Sequence, residues 1–309
     1  MPQFISVIKI VFPVFLALVL GYLCKRRRII SPEGIEGLKK LSMSFALPAT
    51  LFGVFFSADY STDILICAVT MFVMMVLGLL AGKGLCRLAK YSRPVLGYMT
   101  SGCEIGMLGY SFYILLFGSE NLQNMAMIDL GQVTFCFTCY VTTLTGRSQS
   151  GFLPMVKNTF KTPIIWAIIA GVLFGATGIS ALLSPSGISD IVTATTDFIS
   201  APLSCVILFV VGYGIELNRE MLRPALLSVV VRCVCCAVLC LLTITVIGLL
   251  MPMTELLRWA IVMVFILPAP YILPLYLKDK AEQSYASVCL SMQTLFSIAA
   301  FAVIAFIAA

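Results

Sequence analysis

The chain has 309 residues, 61% of them hydrophobic and 11% charged, with a formal net charge of +6 and a mean hydropathy of +1.06. Soluble domains carry about 25% charged residues, so this balance excludes an ordinary soluble enzyme and describes an integral membrane protein. Histidine is absent, which removes imidazole general-base, Ser-His and His-metal chemistry.

A bilayer crossing needs about 20 apolar residues. On that measure the sequence reads as an all-α protein of ten spans: 4–24, 35–57, 62–84, 95–118, 121–145, 160–181, 188–214, 222–250, 255–277 and 282–308. The first is followed by "KRRR" and by no small-residue cleavage site, so it reads as a span and not as a signal peptide. Before the second, Ser31 is placed to cap, Pro32 fits the first helical position and Glu33 suits the positive helix end. The fourth, "VLGYMTSGCEIGMLGYSFYILLFG", is interrupted by Gly102, Gly106 and Gly109, with Glu104 among them. Asp129 and Gln132 lie in the fifth span, Asp197 in the seventh, Arg232 in the eighth and Gln293 in the tenth. In the ninth, "VMVFILPAPYILPLYLKDK" holds Pro268, Pro270 and Pro274 inside an apolar run. Proline removes a backbone donor, and an unmet backbone group in lipid costs several kcal/mol. Such breaks are expected only where they line a cavity.

The 12 cysteines, including "CFTC" and "CVCC", are scattered through apolar segments without the paired spacing of a zinc site. They read as small residues packing between helices, and no metal or other cofactor is expected.

Basic residues fix an orientation. Lys25 to Arg28 with Lys39 and Lys40, then Lys83 to Arg93, then Arg147, Lys157 and Lys161, then Arg219 and Arg223, then Lys278 and Lys280 all fall in odd-numbered loops. The even-numbered loops hold only Arg258. By the positive-inside rule the odd loops are cytoplasmic and both termini lie outside. This topology accounts for the net charge, so the charge is poor grounds for an anionic partner, and none for nucleic acid. Low outer charge and reduced-looking cysteines suit a bacterial inner membrane.

Five spans per half make the halves inverted repeats if they are related. "FPVFLALVLGYL" resembles "TPIIWAIIAGVLF", "SFALPATLF" resembles "FISAPLSCVILF", and "DLGQVTF" resembles "LSMQTLF", which aligns Gln132 with Gln293. The division is 1–146 for the first repeat, 147–159 for a cytoplasmic linker and 160–309 for the second repeat. The interrupted fourth and ninth spans then occupy matching positions, the sequence pointer to a transporter site. Half-helix N-termini favour anions and freed carbonyls favour cations.

"EIGMLGYSF", "LPAPYILPLY" with "ASVCLSMQTLFS", and "FALPATLF" together resemble motifs of the auxin efflux carrier family. That family includes plant PIN-type auxin carriers and bacterial carriers of malonate or malate. The resemblance implies a ten-span fold with a five-plus-five inverted repeat and two broken helices, spans four and nine, crossing near the midplane. It also implies a scaffold of spans 1, 2, 6 and 7 that dimerises, and a mobile unit of spans 3–5 and 8–10. Glu104 stands where the family has Asn, and Ser111 where it has Pro.

Glu104 is about 13 Å into its span at 1.5 Å per residue, near the midplane, where a carboxylate is costly and functional by default. Burial favours its uncharged acid unless a cation neutralises it. It therefore suits either a proton carrier or a sodium ligand, with a hydrogen-bonded structural role as the plainer reading. Asp129, Gln132 and Gln293 join it as candidates for ion or proton coupling, although Asp129 could instead face the outer vestibule. The candidate substrate residues are Gly106, Gly109, Tyr110, Ser111, Pro268, Ala269, Pro270, Tyr271, Gln132 and Gln293. Arg232 is close enough to the cytoplasmic side to snorkel; otherwise it could meet a substrate anion. The expected activity is secondary active transport of a small organic anion, a carboxylate, by elevator-type alternating access coupled to protons or sodium. An uncoupled, potential-driven exporter of weak-acid metabolites and a ligand-binding membrane sensor are the alternatives. The sequence shows no phosphate-binding loop for an ATP-driven pump.

Overall fold

A computed structural model describes residues 2–57, 62–88, 94–145, 163–215, 221–277 and 279–308. The expected linker at 147–159 lies outside them. The described residues form helices and no strands. Five of those helices are long and apolar enough to cross a membrane: Thr62–Leu88, Gln123–Leu144, Ile188–Gly214, Leu222–Leu250 and Lys280–Ala308.

The first half begins with α1 (Pro2–Arg27), which runs unbroken through Pro13. Helix α2 (Pro32–Leu41) starts as expected, with the Ser31 hydroxyl accepting the Gly34 N–H at 3.2 Å. A π-turn at Ser42–Ala46 joins it to α3 (Leu47–Phe56). Pro48 has no N–H to give and its ring crowds the turn before it, so the wider turn falls just upstream. Helix α4 (Thr62–Leu88) is continuous. The fourth span is broken, as expected: a short turn at Pro94–Tyr98, non-helical backbone to Glu104, a π-turn at Ile105–Gly109, then α5 (Tyr110–Phe117). Of its glycines only Gly102 lies in the break; Gly106 and Gly109 are within the π-turn. Helix α6 (Gln123–Phe135) continues through a π-turn at Cys136–Tyr140 into α7 (Val141–Thr145).

The second half holds α8 (Pro163–Ala176), α9 (Ile179–Leu183), α10 (Ile188–Ser200) and α11 (Leu203–Gly214). Pro202 marks the turn between the last two. Helix α12 (Leu222–Leu250) matches the expected eighth span. The ninth is broken between α13 (Glu255–Ile266) and a short turn at Leu273–Tyr276. Helix α14 (Lys280–Ala308) closes the chain.

The helices pack in two groups. In one, α1 lies along α11 and α3 along α8, with α10 against α3. In the other, α4 packs on α6 and α12, and α12 on α13 and α14. Close approach in the first group depends on glycine: a Cβ on Gly21 would lie 2.0 Å from the Phe209 carbonyl oxygen, and one on Gly212 would lie 2.1 Å from that of Leu18. On α12, Leu226, Val230, Val234, Leu241 and Leu249 are exposed, as a lipid-facing surface would be, while Ala225, Ser228, Arg232, Cys236, Leu239 and Thr243 form a buried stripe. Their spacing of three and four residues is one helical face.

Candidate functional site

The two breaks meet. The Glu104 N–H donates to the Pro268 carbonyl at 3.0 Å, and the Tyr271 N–H donates to Glu104 Oε2 at 2.6 Å. The crossing point needs Gly102, whose φ is +70° and on which a Cβ would lie 2.7 Å from the Pro270 ring. The first break is moored to α4, the Ser101 hydroxyl donating to the Met75 carbonyl at 2.6 Å and that of Thr100 to Gly78 at 3.1 Å. In the second break the Ser297 hydroxyl donates to the Ile266 carbonyl at 2.6 Å.

The two glutamines serve the two breaks. Gln132 donates its amide to the Cys103 carbonyl. Gln293 Oε1 accepts the Ala269 N–H at 3.0 Å, and its amide donates to the Ser228 hydroxyl at 3.4 Å. Both are buried, at 4% and 1% exposure. A buried backbone group left unpaired costs about 1–3 kcal/mol, and these side chains remove that cost at the broken turns.

Arg232 departs from the snorkelling expectation. It is 4% exposed and points inward. Its Nε donates to the Leu267 carbonyl at 2.9 Å, and its two terminal nitrogens donate to Met99 at 2.7 Å and Gly102 at 2.8 Å, with the Cys103 sulfur at 3.4 Å. One guanidinium thus spans both breaks. The Leu267 carbonyl caps the C-terminus of α13, an end that favours a cation. The buried stripe of α12, in phase with Arg232, is the sequence signal that marks it as inward-facing.

The remaining candidates separate. Asp129 is buried and accepts the Tyr110 hydroxyl at 2.8 Å. Tyr110 is 1% exposed, and Ser111 is fully buried with its hydroxyl on the Met107 carbonyl at 3.2 Å. Gly109 packs against Leu267 and half-buried Gly106 near Leu47. Pro268, Ala269 and Pro270 are buried inside the crossing.

Tyr271 faces open space. Its hydroxyl shares a 2.7 Å hydrogen bond with Thr294, and its side chain lines a cavity of about 200 Å³ between α2, α11 and α14. Lys39, Met107, Ser287, Ser291 and Thr294 are among the other lining residues. Sequence reasoning missed Lys39 by grouping it with the loop cations. It stands four residues after buried Ile35 and three before buried Ser42, on the inward face of α2. Among the described residues the Lys39 ammonium forms no hydrogen bond or ion pair, and its charge acts on Glu104. Met107, Ser287, Ser291 and Thr294 were likewise unforeseen, having no chemistry that singles them out before α14 is in place. A second, wider cavity of about 570 Å³ lies between α3, α10 and the α5–α6 connection, with Thr50, Glu120, Thr196, Asp197 and Ser204 on its walls.

A lysine over hydroxyls and apolar walls can hold a small anion, and the crossing beside it can hold charge within the membrane. No curated protein matches the chain. The family described as membrane transport protein matches at residues 6–151, a stretch that contains Lys39, the first break, Glu104 and Gln132. Residues 6–151, just under half of the chain, thus match the model of the membrane transport protein family, the auxin efflux carrier family domain.

Proposed function

We propose that this multi-pass membrane transporter is a secondary carrier of a small organic anion, a carboxylate, which binds in the cavity beside the crossing. The observation that carries the reading is Lys39. Its ammonium has no hydrogen-bonded or ion-paired partner among the described residues, although its charge reaches Glu104, and it stands in a cavity that shares Tyr271 with two broken helices. Drug-sized ligands occupy roughly 300–1,000 Å³, so a cavity of about 200 Å³ suits a compact solute. Lys39 would hold the carboxylate, while Ser287, Ser291 and Thr294 offer hydroxyls.

Read as ten spans in two inverted repeats, the chain would suit an elevator-like cycle. Gly21 of α1 packs on α11 and Gly171 of α8 packs on α3, where a Cβ would lie 2.9 Å from the Phe52 carbonyl oxygen. Span one against span seven, and span six against span two, is the exchange that an inverted repeat requires. The group containing α1, α3, α8, α10 and α11 would be the scaffold and the dimer surface. The group of α4–α6 and α12–α14 would move, carrying the crossing with it. Glu104, whose charge is felt by Asp129, is the coupling candidate for protons or sodium. Basic odd loops support an orientation with both termini outside, in what we take to be a bacterial inner membrane.

Thermal unfolding of the purified protein with a panel of mono- and dicarboxylates tests the site. A compact carboxylate is expected to stabilise the parent saturably, and Lys39→Gln is expected to lose most of that response while melting like the parent without ligand. Equal stabilisation of both proteins would remove Lys39 from the site.

A further inference from the structure

We propose that Arg232 is a resident cation of the crossing: its guanidinium holds the carbonyls that an exchangeable metal ion would need, and it positions both breaks as one unit. In broken transporter helices, unwound carbonyls are what coordinates sodium. A dehydrated ion needs several such oxygens in place of its water. Here five carbonyls at the crossing are already engaged by the protein. Met99, Gly102 and Leu267 accept from Arg232, Pro268 accepts from the Glu104 N–H, and Cys103 accepts from the Gln132 amide.

Arginine suits this role better than a bound ion. Its planar fork presents donors in fixed directions and it stays protonated. Its stem is anchored in the buried stripe of α12, so the charge travels with the helix and cannot exchange. Among the described residues its guanidinium meets backbone carbonyls and the Cys103 sulfur, and no carboxylate. The positive charge is thus balanced by carbonyl dipoles from both breaks. Within the carrier reading, on which this point rests, coupling at the crossing falls to a proton and not to sodium.

The test uses the purified full-length protein in detergent and needs no transported solute, so it fails separately from the carrier reading. Binding of radiolabelled sodium is measured on the unaltered protein. Thermal unfolding of Arg232→Ala is followed with guanidinium, sodium, choline or urea at equal concentration. The unaltered protein is expected to show no saturable sodium binding. Arg232→Ala is expected to melt well below the parent and to recover saturably with guanidinium but not with the other three. Arg232→Lys, with one ammonium for three diverging carbonyls, is expected to fall between and to gain less from guanidinium. Saturable sodium binding to the unaltered protein overturns the proposal. So does an Arg232→Ala protein that melts with the parent, or that urea rescues as well as guanidinium does. If Arg232→Ala does not accumulate, sodium binding to the unaltered protein decides the matter.

Discussion

Tyr271 belongs to two regions that handle charge in opposite ways. Its backbone N–H is held by Glu104 inside the crossing, and its side chain lines the cavity that contains Lys39. On the crossing side, Arg232, Gln132 and Gln293 each end on backbone groups of the breaks. On the cavity side, Lys39 ends on none of the described residues. A guanidinium tied to three carbonyls is part of the frame, whereas an ammonium with no hydrogen bond or ion pair among the described residues could meet an incoming anion. On the proposed reading the two cations divide the labour of the site: one would hold the broken helices together, and the other would select what comes to rest beside them.

The sharpest way to break this comparison is Arg232→Ala. It strands the Met99, Gly102 and Leu267 carbonyls, and removing one partner from a buried charged set costs roughly 3–5 kcal/mol. Unfolding measured in detergent should show that loss; a change below about 1 kcal/mol would mean that the crossing is not fixed by Arg232. Lys39→Gln probes the other side. Charged hydrogen bonds contribute about 1.5–3 kcal/mol, so carboxylate affinity should fall by about 10- to 100-fold with stability unchanged. Glu104→Gln is smaller still in structural terms. The amide oxygen can still accept the Tyr271 N–H, so stability should shift by less than about 1 kcal/mol, while any dependence of flux on a proton gradient disappears. Tyr271→Phe removes only the hydroxyl shared with Thr294. At about 0.5–1.5 kcal/mol for such a bond, ligand affinity should change less than about tenfold, and a larger loss would put the Tyr271 hydroxyl in direct contact with the solute.

The elements of this fold are legible in the sequence wherever length and apolarity decide. The start of α2, the full extent of α12 and the broken state of spans four and nine all follow from Ser31 with Pro32, an unbroken apolar run, and clustered glycines or prolines. Two details do not follow. Proline and glycine composition says that span four is interrupted between Gly102 and Gly109, but only contact with Pro270 singles out Gly102 as the residue that needs its positive φ. Hydropathy also treats every basic residue near a helix end as a loop or snorkelling charge. Lys39 escapes for that reason, and Arg232 reads first as a snorkelling charge and only otherwise as an inward-facing one. Helical phase could have caught both, since each falls in register with buried neighbours at three- and four-residue spacing. The hydroxyl lining of the cavity could not have been found so early, because Ser287, Ser291 and Thr294 acquire meaning only when α14 is set against α11 and Tyr271.

Uptake into proteoliposomes tests the central claim most directly. A panel of small mono- and dicarboxylates would be offered to the unaltered protein and to Glu104→Gln, with a pH gradient, a sodium gradient or neither. The account predicts saturable uptake of a compact carboxylate that a pH gradient drives and a sodium gradient does not, with Glu104→Gln retaining exchange but losing the response to pH. Failure to move any carboxylate, or a flux set by membrane potential alone and unchanged by Glu104→Gln, would contradict it.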